Sequence, residues 1–238
     1  MVSSLTLSAK TTSYIDRQLG YCQTKISSTL QEIDRMKDYS YVPWHILKSQ
    51  KKWDLQKVTQ ENWTSGFWAG LLWYGYEISN DANIKEKAIR YTDALKTLEE
   101  KPVYDHDLGF LIYCANGNAY RMTGEQKYKD MIIRGADSLA NLFNPRVGTI
   151  LSWPREVKPR NWPHNTIMDN MMNLEMLFRG AQLSGDKRLY NIAVSHADVT
   201  MKNQFRKDYT SYHVAVYDTI DGHFIKGVTH QGYADNTM

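Results

Sequence analysis

The tripeptide Ser184-Gly185-Asp186 separates two segments of helical periodicity, and it has two earlier counterparts, Thr123-Gly124-Glu125 and Ser79-Asn80-Asp81. A charged, periodic segment follows each of these turns. An aspartate then lies 13 positions after the central turn residue in all three cases, as Asp93, Asp137 and Asp198. This spacing predicts one helix-turn-helix unit used at least three times.

The repeat extends upstream of the turns. Trp63 and Asp107 each precede their central turn residue by 17 positions, and Asp169 precedes its own by 16. Successive units lie 44 and 61 residues apart, so one loop varies in length, and the extra length falls within residues 144–164. We therefore expect Trp63, Asp107 and Asp169 to occupy equivalent helix starts. Two carboxylates on equivalent elements can face one cavity, as acid–base chemistry on sugars requires.

Composition is ordinary for a globular domain, with one exception. Of 238 residues, 42% are hydrophobic and 23% charged, and the net charge of +3 does not favour nucleic acid or an anionic membrane. The exception is the content of 7 Trp and 16 Tyr. Such an excess is typical of carbohydrate clefts, where rings stack on sugars, but packing between many helices explains it equally well.

Hydrophobic periodicity predicts an all-α fold. Helices are expected at residues 12–37, 64–77, 84–98, 108–122, 126–142, 168–183 and 187–204, with Thr64 or Ser65 capping the second. The more apolar forward helices, which precede each turn, should form an inner ring inside the charged return helices. Residues 209–226 should add a short β-hairpin around Asp221-Gly222.

Cysteine and histidine patterns indicate neither a disulfide framework nor a metal site. Cys22 and Cys114 are expected to be buried thiols. The histidines His164, His223 and His230 lack metal-ligand spacing with Asp or Cys, so we expect no metal and no cofactor. No run approaches the roughly 20 apolar residues that span a bilayer. The chain should be soluble, in the cytoplasm or the periplasm, and the sequence leaves its oligomeric state open.

The last residues look like the start of another unit. The stretch THQGYAD at residues 229–235 resembles a further forward segment, whereas repeat stacks normally end in a polar capping unit. We therefore expect residues 1–238 to form a single domain that is part of a longer protein.

Four collinear motifs carry a resemblance to a known family. They are WTSGFW at residues 63–68, HDLGF at 106–110, MDNMMNLEML at 168–177 and THQGYAD at 229–235. Together they resemble unsaturated glucuronyl hydrolases, glycoside hydrolase family 88. The resemblance implies a six-hairpin (α/α)6 toroid, truncated here at its C-terminus, and it agrees with the repeat.

The resemblance also implies the reaction. Members of this family release a 4,5-unsaturated uronic acid from the non-reducing end of oligosaccharides left by polysaccharide lyases, here of glycosaminoglycan type. An acid protonates C4 of the vinyl ether, water adds at C5, and the hemiketal rearranges with loss of the leaving sugar. Asp169 matches the general acid and base, and Asp107 matches the second carboxylate, which bonds ring hydroxyls and tunes Asp169. Flanking Met168, Met171 and Met172 would give Asp169 partly apolar surroundings.

Both acids have an alternative role. An aspartate at a helix start often caps the helix and stabilises it by about 1 kcal/mol, and Asn170 and Asn173 make this alternative credible for Asp169. For Asp105, next to Asp107, a solvated loop carboxylate is the better interpretation.

Substrate-binding residues are implied by the same resemblance. His213 and Gln231 match positions that contact the sugar, and Trp63 and Trp153 match aromatic walls. Arg155 near Trp153 could help to hold an anionic sugar by charge and stacking, as could Arg160. A Pro-stiffened surface loop packed by its tryptophans is the alternative for both arginines.

Two other functions stay open. Unsaturated rhamnogalacturonyl hydrolases share the toroid and the chemistry but act on pectin fragments, and the MDNMMN run argues against them. A non-catalytic helical-repeat module that binds carbohydrate would explain the repeats and aromatics, but it needs no paired acids.

Overall fold

Helical hairpins build the fold. The computed structural model describes residues 3–98 and 103–230, with side chains from residue 14 onward. After α1 (Ser3–Ile33) come the hairpins α2–α3 (Phe67–Ser79 and Ala82–Ala94), α4–α5 (Cys114–Thr123 and Gln126–Ala140) and α6–α7 (Asn170–Ser184 and Lys187–Asn203). The mainly helical class predicted from periodicity is confirmed, although α1 begins nine residues earlier than expected.

The same hydrogen bonds close the three helical hairpins. Asn80, Gly124 and Gly185 adopt φ values of 53°, 68° and 80°, the left-handed conformation that ends a helix. Their N–H groups donate to the carbonyls four residues earlier, at 2.7, 2.9 and 2.8 Å. In each turn the hydroxyl of the first residue also accepts the backbone N–H of the third residue, at 3.1 or 3.2 Å. The donors are Asp81, Glu125 and Asp186, and the acceptors are Ser79, Thr123 and Ser184. The repeated tripeptide is therefore a helix stop.

The aspartates that recur after each turn join neighbouring return helices. Lys127 donates to Asp93 at 2.9 Å, and Arg188 pairs with Asp137. Both cations lie three positions after the turn residue of the next unit. Such exposed pairs each contribute at most about 1 kcal/mol, so they align the helices more than they stabilise them.

In the part of the chain that the structure describes, three small antiparallel sheets accompany the helices. They comprise β1–β2 (Tyr41–His45 and Asp54–Lys57), β3–β4 (Phe143–Asn144 and Thr149–Ile150), and β5–β6–β7 (His164–Ile167, Val214–Tyr217 and Phe224–Val228). The predicted hairpin is β6–β7. Strand β5, which the sequence did not reveal, pairs His164 with Tyr217 and Ile167 with Val214. Its four residues are all buried, so no alternation marks it as a strand.

The core lies between the forward helices and their return partners. Leu72, Trp73 and Leu177 are fully buried, as expected of forward helices. The expectation that these helices are buried on most faces was only partly met, because Leu71 and Tyr74 are 50% and 51% exposed. Among the described helices, none combines the length and hydrophobicity that crossing a bilayer requires.

Two local predictions were wrong. Neither Thr64 nor Ser65 caps α2, because a 3-10 turn (Trp63–Gly66) precedes the helix and Gly66 occupies the cap position. Cys22 is exposed because all side chains of α1 from residue 14 to residue 22 are exposed, and Cys114 is only partly buried.

Candidate active site

Two helix starts bring the predicted acids together. Asp107 precedes a π-helical turn (Gly109–Tyr113) that leads into α4, and Asp169 directly precedes α6. The two starts touch: a Cβ on Gly109 would lie 2.2 Å from Oδ1 of Asn173, which accepts the N–H of Phe110 at 3.1 Å. Only glycine allows this approach, and a π turn is common at functional sites.

A buried histidine lies between the acids. Nε2 of His106 is 3.3 Å from Oδ1 of Asp107 and 3.4 Å from Oδ1 of Asp169. His106 is completely buried. The HDLGF motif at residues 106–110 begins with this histidine, but the sequence analysis predicted no role for it. A histidine flanked by Asp105 and Asp107 was the available signal, since buried histidines beside carboxylates tend to carry charge.

The ring of His106 is held by the loop that follows β4. Nδ1 of His106 lies 3.0 Å from the carbonyl oxygen of Ser152, which also accepts the backbone N–H of His106 at 3.2 Å. Ser152 is itself fixed, because its N–H donates to the Asn165 carbonyl at 2.8 Å and Nδ2 of Asn170 donates to its Oγ at 3.3 Å. A carbonyl only accepts hydrogen bonds, so Nδ1 of His106 carries a proton.

Burial and neighbouring charges shift the pKa values of His106 and Asp107. Burial disfavours the cation, but the contact with Asp169 and the charges of Asp107, Asp169 and Asp105 outweigh it and raise the pKa of His106 above its ordinary value. Burial raises the pKa of Asp107 to about 6 against the opposing charge of His106, while Asp105 and Asp169 add to the rise and Arg155 counters it. The cluster therefore retains a proton at pH values at which separate groups would lose it.

The capping alternative does not hold for Asp169. Its side chain makes no cap hydrogen bond although the residue is at the N-cap position of α6. Asp107 lies one residue before Leu108, the cap residue of the π turn. The expected apolar surroundings of Asp169 are only partly present, because Met168 is half-buried whereas Met171 and Met172 are 36% and 67% exposed.

Asp105 is buried, which corrects the prediction of a solvated loop carboxylate. It is 4% exposed, and its Oδ1 accepts the backbone N–H of Asp107 at 3.0 Å. Its Oδ2 accepts from Nη1 of Arg155 at 2.6 Å. The arginine neutralises the carboxylate and so makes its burial tolerable.

The loop arginines are engaged within the protein. Arg155 also lies over the ring of Tyr104, 4.8 Å from its centroid. Arg160 donates to Glu156 at 2.6 Å and lies 5.0 Å from the centroid of Trp162. These contacts favour the packed-loop alternative over direct binding of an anionic sugar.

Trp153 packs among histidines behind the acids. Its ring centroid is 6.2 Å from that of His106, 5.9 Å from that of His213 and 4.9 Å from that of His230. Only 5% of Trp153 is exposed, so it offers little ring surface for stacking and mainly holds the imidazoles in place. Gln231, the other predicted contact in this region, lies outside the described residues.

His213 is half-buried next to Asp169. Its carbonyl accepts the N–H of Met168 at 2.9 Å, and its Nδ1 accepts the N–H of His230 at 3.3 Å. Burial lowers the pKa of His213; the charge of Asp169 opposes this change, and His230 and His106 add to it. The ring is therefore neutral at neutral pH, with its proton on Nε2.

Trp63 is an exposed aromatic residue just before α2, at the position of the repeat that is equivalent to those of Asp107 and Asp169. It is 49% exposed and packs edge-on against Phe67 and Phe110, with ring centroids 5.5 and 5.8 Å away. Because Phe110 follows Asp107 by three residues, this cluster connects Trp63 to the acids. Its free ring face is suited to stacking on a sugar.

Two clusters in the described residues could present three metal ligands each. Their ligand atoms lie within 4.8 Å of one another, in Asp105, His106 and Asp107, and in Asp218, Asp221 and His223. In the first cluster Arg155 and a backbone N–H already occupy both oxygens of Asp105. The absence of a metal therefore stays our prediction.

The helical hairpins, with two acids at matched helix starts, agree with the (α/α)-toroid class expected from the sequence. No protein-family model matches the chain. The unsaturated glucuronyl hydrolase of Formosa agariphila is 41% identical over 184 residues, which cover 77% of this chain and 45% of that protein. The unsaturated chondroitin disaccharide hydrolase of Streptococcus pneumoniae is 33% identical over 177 residues, 74% of this chain and 44% of that protein.

Solved structures give the same relationship. An unsaturated glucuronyl hydrolase specific for heparin matches with a TM-score of 0.83 and 38% identity, over 93% of this chain and 57% of that one. The enzyme of Bacillus sp. GL1, described as responsible for degradation of glycosaminoglycan, matches with a TM-score of 0.82 and 26% identity, over 92% and 57%. The relationship to unsaturated glucuronyl hydrolases, glycoside hydrolase family 88, is thereby confirmed. The chain spans less than half the length of the two curated relatives above.

Proposed function

We propose that this protein releases 4,5-unsaturated uronic acid from the non-reducing end of lyase-generated glycosaminoglycan oligosaccharides. The observation that carries the proposal is the meeting of Asp107 and Asp169, from two separate helix starts, at the buried Nε2 of His106. A binding module has no need for such an arrangement. The names of the relatives, which include hydrolases of unsaturated glucuronyl and chondroitin substrates, support the same reaction.

Exposure assigns different roles to the two acids. The side chain of Asp169 is 46% exposed, whereas that of Asp107 is 12% exposed. Asp169 can therefore reach a substrate carbon as general acid and base. Asp107 lies deeper, positions the substrate through its accessible oxygen, and tunes Asp169 through its charge.

The reaction adds one water molecule across the double bond. Asp169 gives its proton to C4, and positive charge develops at C5 and the ring oxygen. Water attacks C5 and returns a proton to Asp169, which regenerates the acid. The hemiketal then opens and the leaving sugar departs. Nε2–H of His213 is available to donate to the sugar, and Trp63 supplies a stacking face. Gln231 would complete the substrate contacts.

The test follows the loss of ultraviolet absorbance of unsaturated disaccharides from chondroitin, heparin and pectin. We expect turnover of the first two by the wild-type chain and a loss of about 1,000-fold in kcat for Asp169→Asn. Asp198→Asn, the same change at an exposed position on α7, is the matched control and should keep full activity. Turnover of pectin fragments alone would assign the rhamnogalacturonyl class. Binding of these sugars without turnover by the wild-type chain would indicate the carbohydrate-binding module.

A further inference from the structure

His106 is completely buried, and its Nε2 has no exposed surface through which to touch a substrate. It nevertheless contacts both proposed catalytic carboxylates. We infer that His106 is a positioning residue: its Nε2–H holds Asp107 and Asp169 together and stabilises the Asp169 carboxylate each time Asp169 has given up its proton. This inference rests on the roles proposed above for the two acids.

When both acids are ionised, as they are after Asp169 has given up its proton, the orientation of the ring requires a proton on Nε2. Nδ1 is already protonated, because it faces the carbonyl of Ser152. If Nε2 were unprotonated, its lone pair would face oxygens of two ionised carboxylates at 3.3 and 3.4 Å, with no donor among the three. Such a contact between three acceptors is strongly unfavourable in a buried site. A proton on Nε2 turns both contacts into attractive ones.

Charge stays balanced through the reaction. With His106 as a cation and Asp107 ionised, protonated Asp169 makes the three groups neutral. Transfer of the proton to C4 leaves a net charge of −1, with the new anion 3.4 Å from the cation. The proton from water restores neutrality. His106 never has to give up a proton, so it lowers the energy of the step without itself reacting.

Other charged groups around His106 do not replace it. Asp105 adds negative charge from the same loop but is paired with Arg155. His196 on α7 and His213 before β6 both feel the charge of His106, and burial together with that charge lowers the pKa of each. Both are therefore neutral at neutral pH, and the positive charge next to the acids is that of His106.

Two substitutions separate this role from a purely structural one. His106→Asn keeps an amide near the Nδ1 position and can still donate to Ser152, but it leaves nothing at Nε2. His106→Gln reaches the Nε2 position with a neutral donor and gives up the bond to Ser152. We expect kcat to fall about 100-fold or more in the Asn variant with little change in KM. The Gln variant should recover part of that loss.

In both variants the pH dependence of kcat should shift to higher pH, because removal of a cation weakens the acids. A structural role predicts the reverse order, with Asn nearly as active as wild type, Gln worse and the pH profile unchanged. That result would overturn the inference. A circular dichroism spectrum and thermal unfolding curve for each variant would establish that it is folded.

Nitrogen-15 NMR of histidine-labelled wild-type protein tests the inference without turnover. We expect both ring nitrogens of His106 to carry protons at pH 7, and the protonation midpoint to fall in Asp107→Asn and in Asp169→Asn. An unprotonated Nε2 at pH 7 in the wild-type protein refutes the inference. If the NMR result is as expected but no unsaturated sugar is hydrolysed, the proposed function is wrong and the protonated His106 bridge stands.

Discussion

Two completely buried histidines, His106 and His196, both form hydrogen bonds with residues 150–152 but differ in charge. Nδ1 of His106 faces the carbonyl of Ser152, while Nδ1 of His196 accepts the N–H of Ile150 at 3.0 Å. Burial lowers the pKa of His196 to about 3, and the charges of His106 and His164 add to this effect. The pKa of His106 is raised, because carboxylates outweigh its burial.

The difference shows what burial alone decides. Burial disfavours the imidazolium cation in both rings, and only a nearby opposite charge can raise the pKa again. The backbone of residues 150–152 selects the tautomers, because it presents an N–H to one imidazole and a carbonyl to the other. The proposed catalytic site and a neutral part of the core thus contact backbone groups two residues apart.

Removing both carboxylates should make His106 resemble His196. In Asp107→Asn/Asp169→Asn we expect the pKa of His106 to fall below its ordinary value, since burial is then the dominant influence. Activity should be lost by about 1,000-fold, no more than in Asp169→Asn alone, because groups that act as a unit have non-additive effects. NMR titration and kcat of the single and double variants measure both effects. An unchanged His106 pKa would show that the acids do not cause its protonation.

Acid stability should distinguish the two histidines. Because the pKa of His196 falls from an ordinary 6.5 to about 3, the unfolded chain binds a proton that the folded chain does not. Stability is therefore lost as the pH falls from 6.5 towards 3, by an amount on the order of 4 kcal/mol. His196→Asn, whose Oδ1 can still accept from Ile150, should flatten this loss in urea unfolding at several pH values.

His106 contributes with the opposite sign. Its pKa is raised, so its stabilisation is fully present below pH 6.5 and is lost as the pH rises through its folded value. His106→Asn should therefore be most destabilising at low pH. A steep loss of stability in acid that persists in His196→Asn would contradict the comparison.

Separating the two helix starts should disrupt the site around His106 and spare the region of His196. A Cβ at Gly109 would lie 2.2 Å from Oδ1 of Asn173 and 2.8 Å from its Cα. Gly109→Ala should cost about 1–3 kcal/mol of unfolding free energy and reduce kcat. Gly20→Ala on α1 meets nothing within 4 Å and should be neutral or stabilising by up to about 1 kcal/mol. Equal effects of the two changes would show that the close approach is unimportant.

The smallest effect on activity is expected from Arg155, a charge outside the group formed by His106, Asp107 and Asp169. Arg155 counters the raised pKa of Asp107 and pairs with Asp105. In Arg155→Gln the pKa of Asp107 should rise further, which moves the acidic limb of the pH–rate profile to higher pH, while KM changes less than about threefold. Arg160→Gln, which loses the pair with Glu156 and the contact with the Trp162 ring but leaves Asp105 paired, is the control. A large rise in KM for Arg155→Gln would instead assign Arg155 to binding of the anionic sugar.

The ends of the forward helices and the equivalent positions of the two acids in the repeat could be predicted from the sequence, because both depend on local chemistry. The residues Asn80, Gly124 and Gly185 end helices through bonds within one turn, and counting from them located Asp107 and Asp169 at equivalent starts. Strand β5 and the burial of Asp105 could not be predicted. Both depend on partners about 50 residues away, Val214–Tyr217 in one case and Arg155 in the other.

The sequence by itself determined the repeat, the helical class and the two acids, since periodicity and turn residues act over a few positions. It did not determine which acid is accessible or what lies between them. Those depend on the contact of Gly109 with Asn173 and on the carbonyl of Ser152 that orients His106. Only the tertiary structure brings Asp169, at the start of one helix, within 3.4 Å of His106, next to Asp107 at the start of another, and electrostatic coupling of that strength requires such proximity in a buried site.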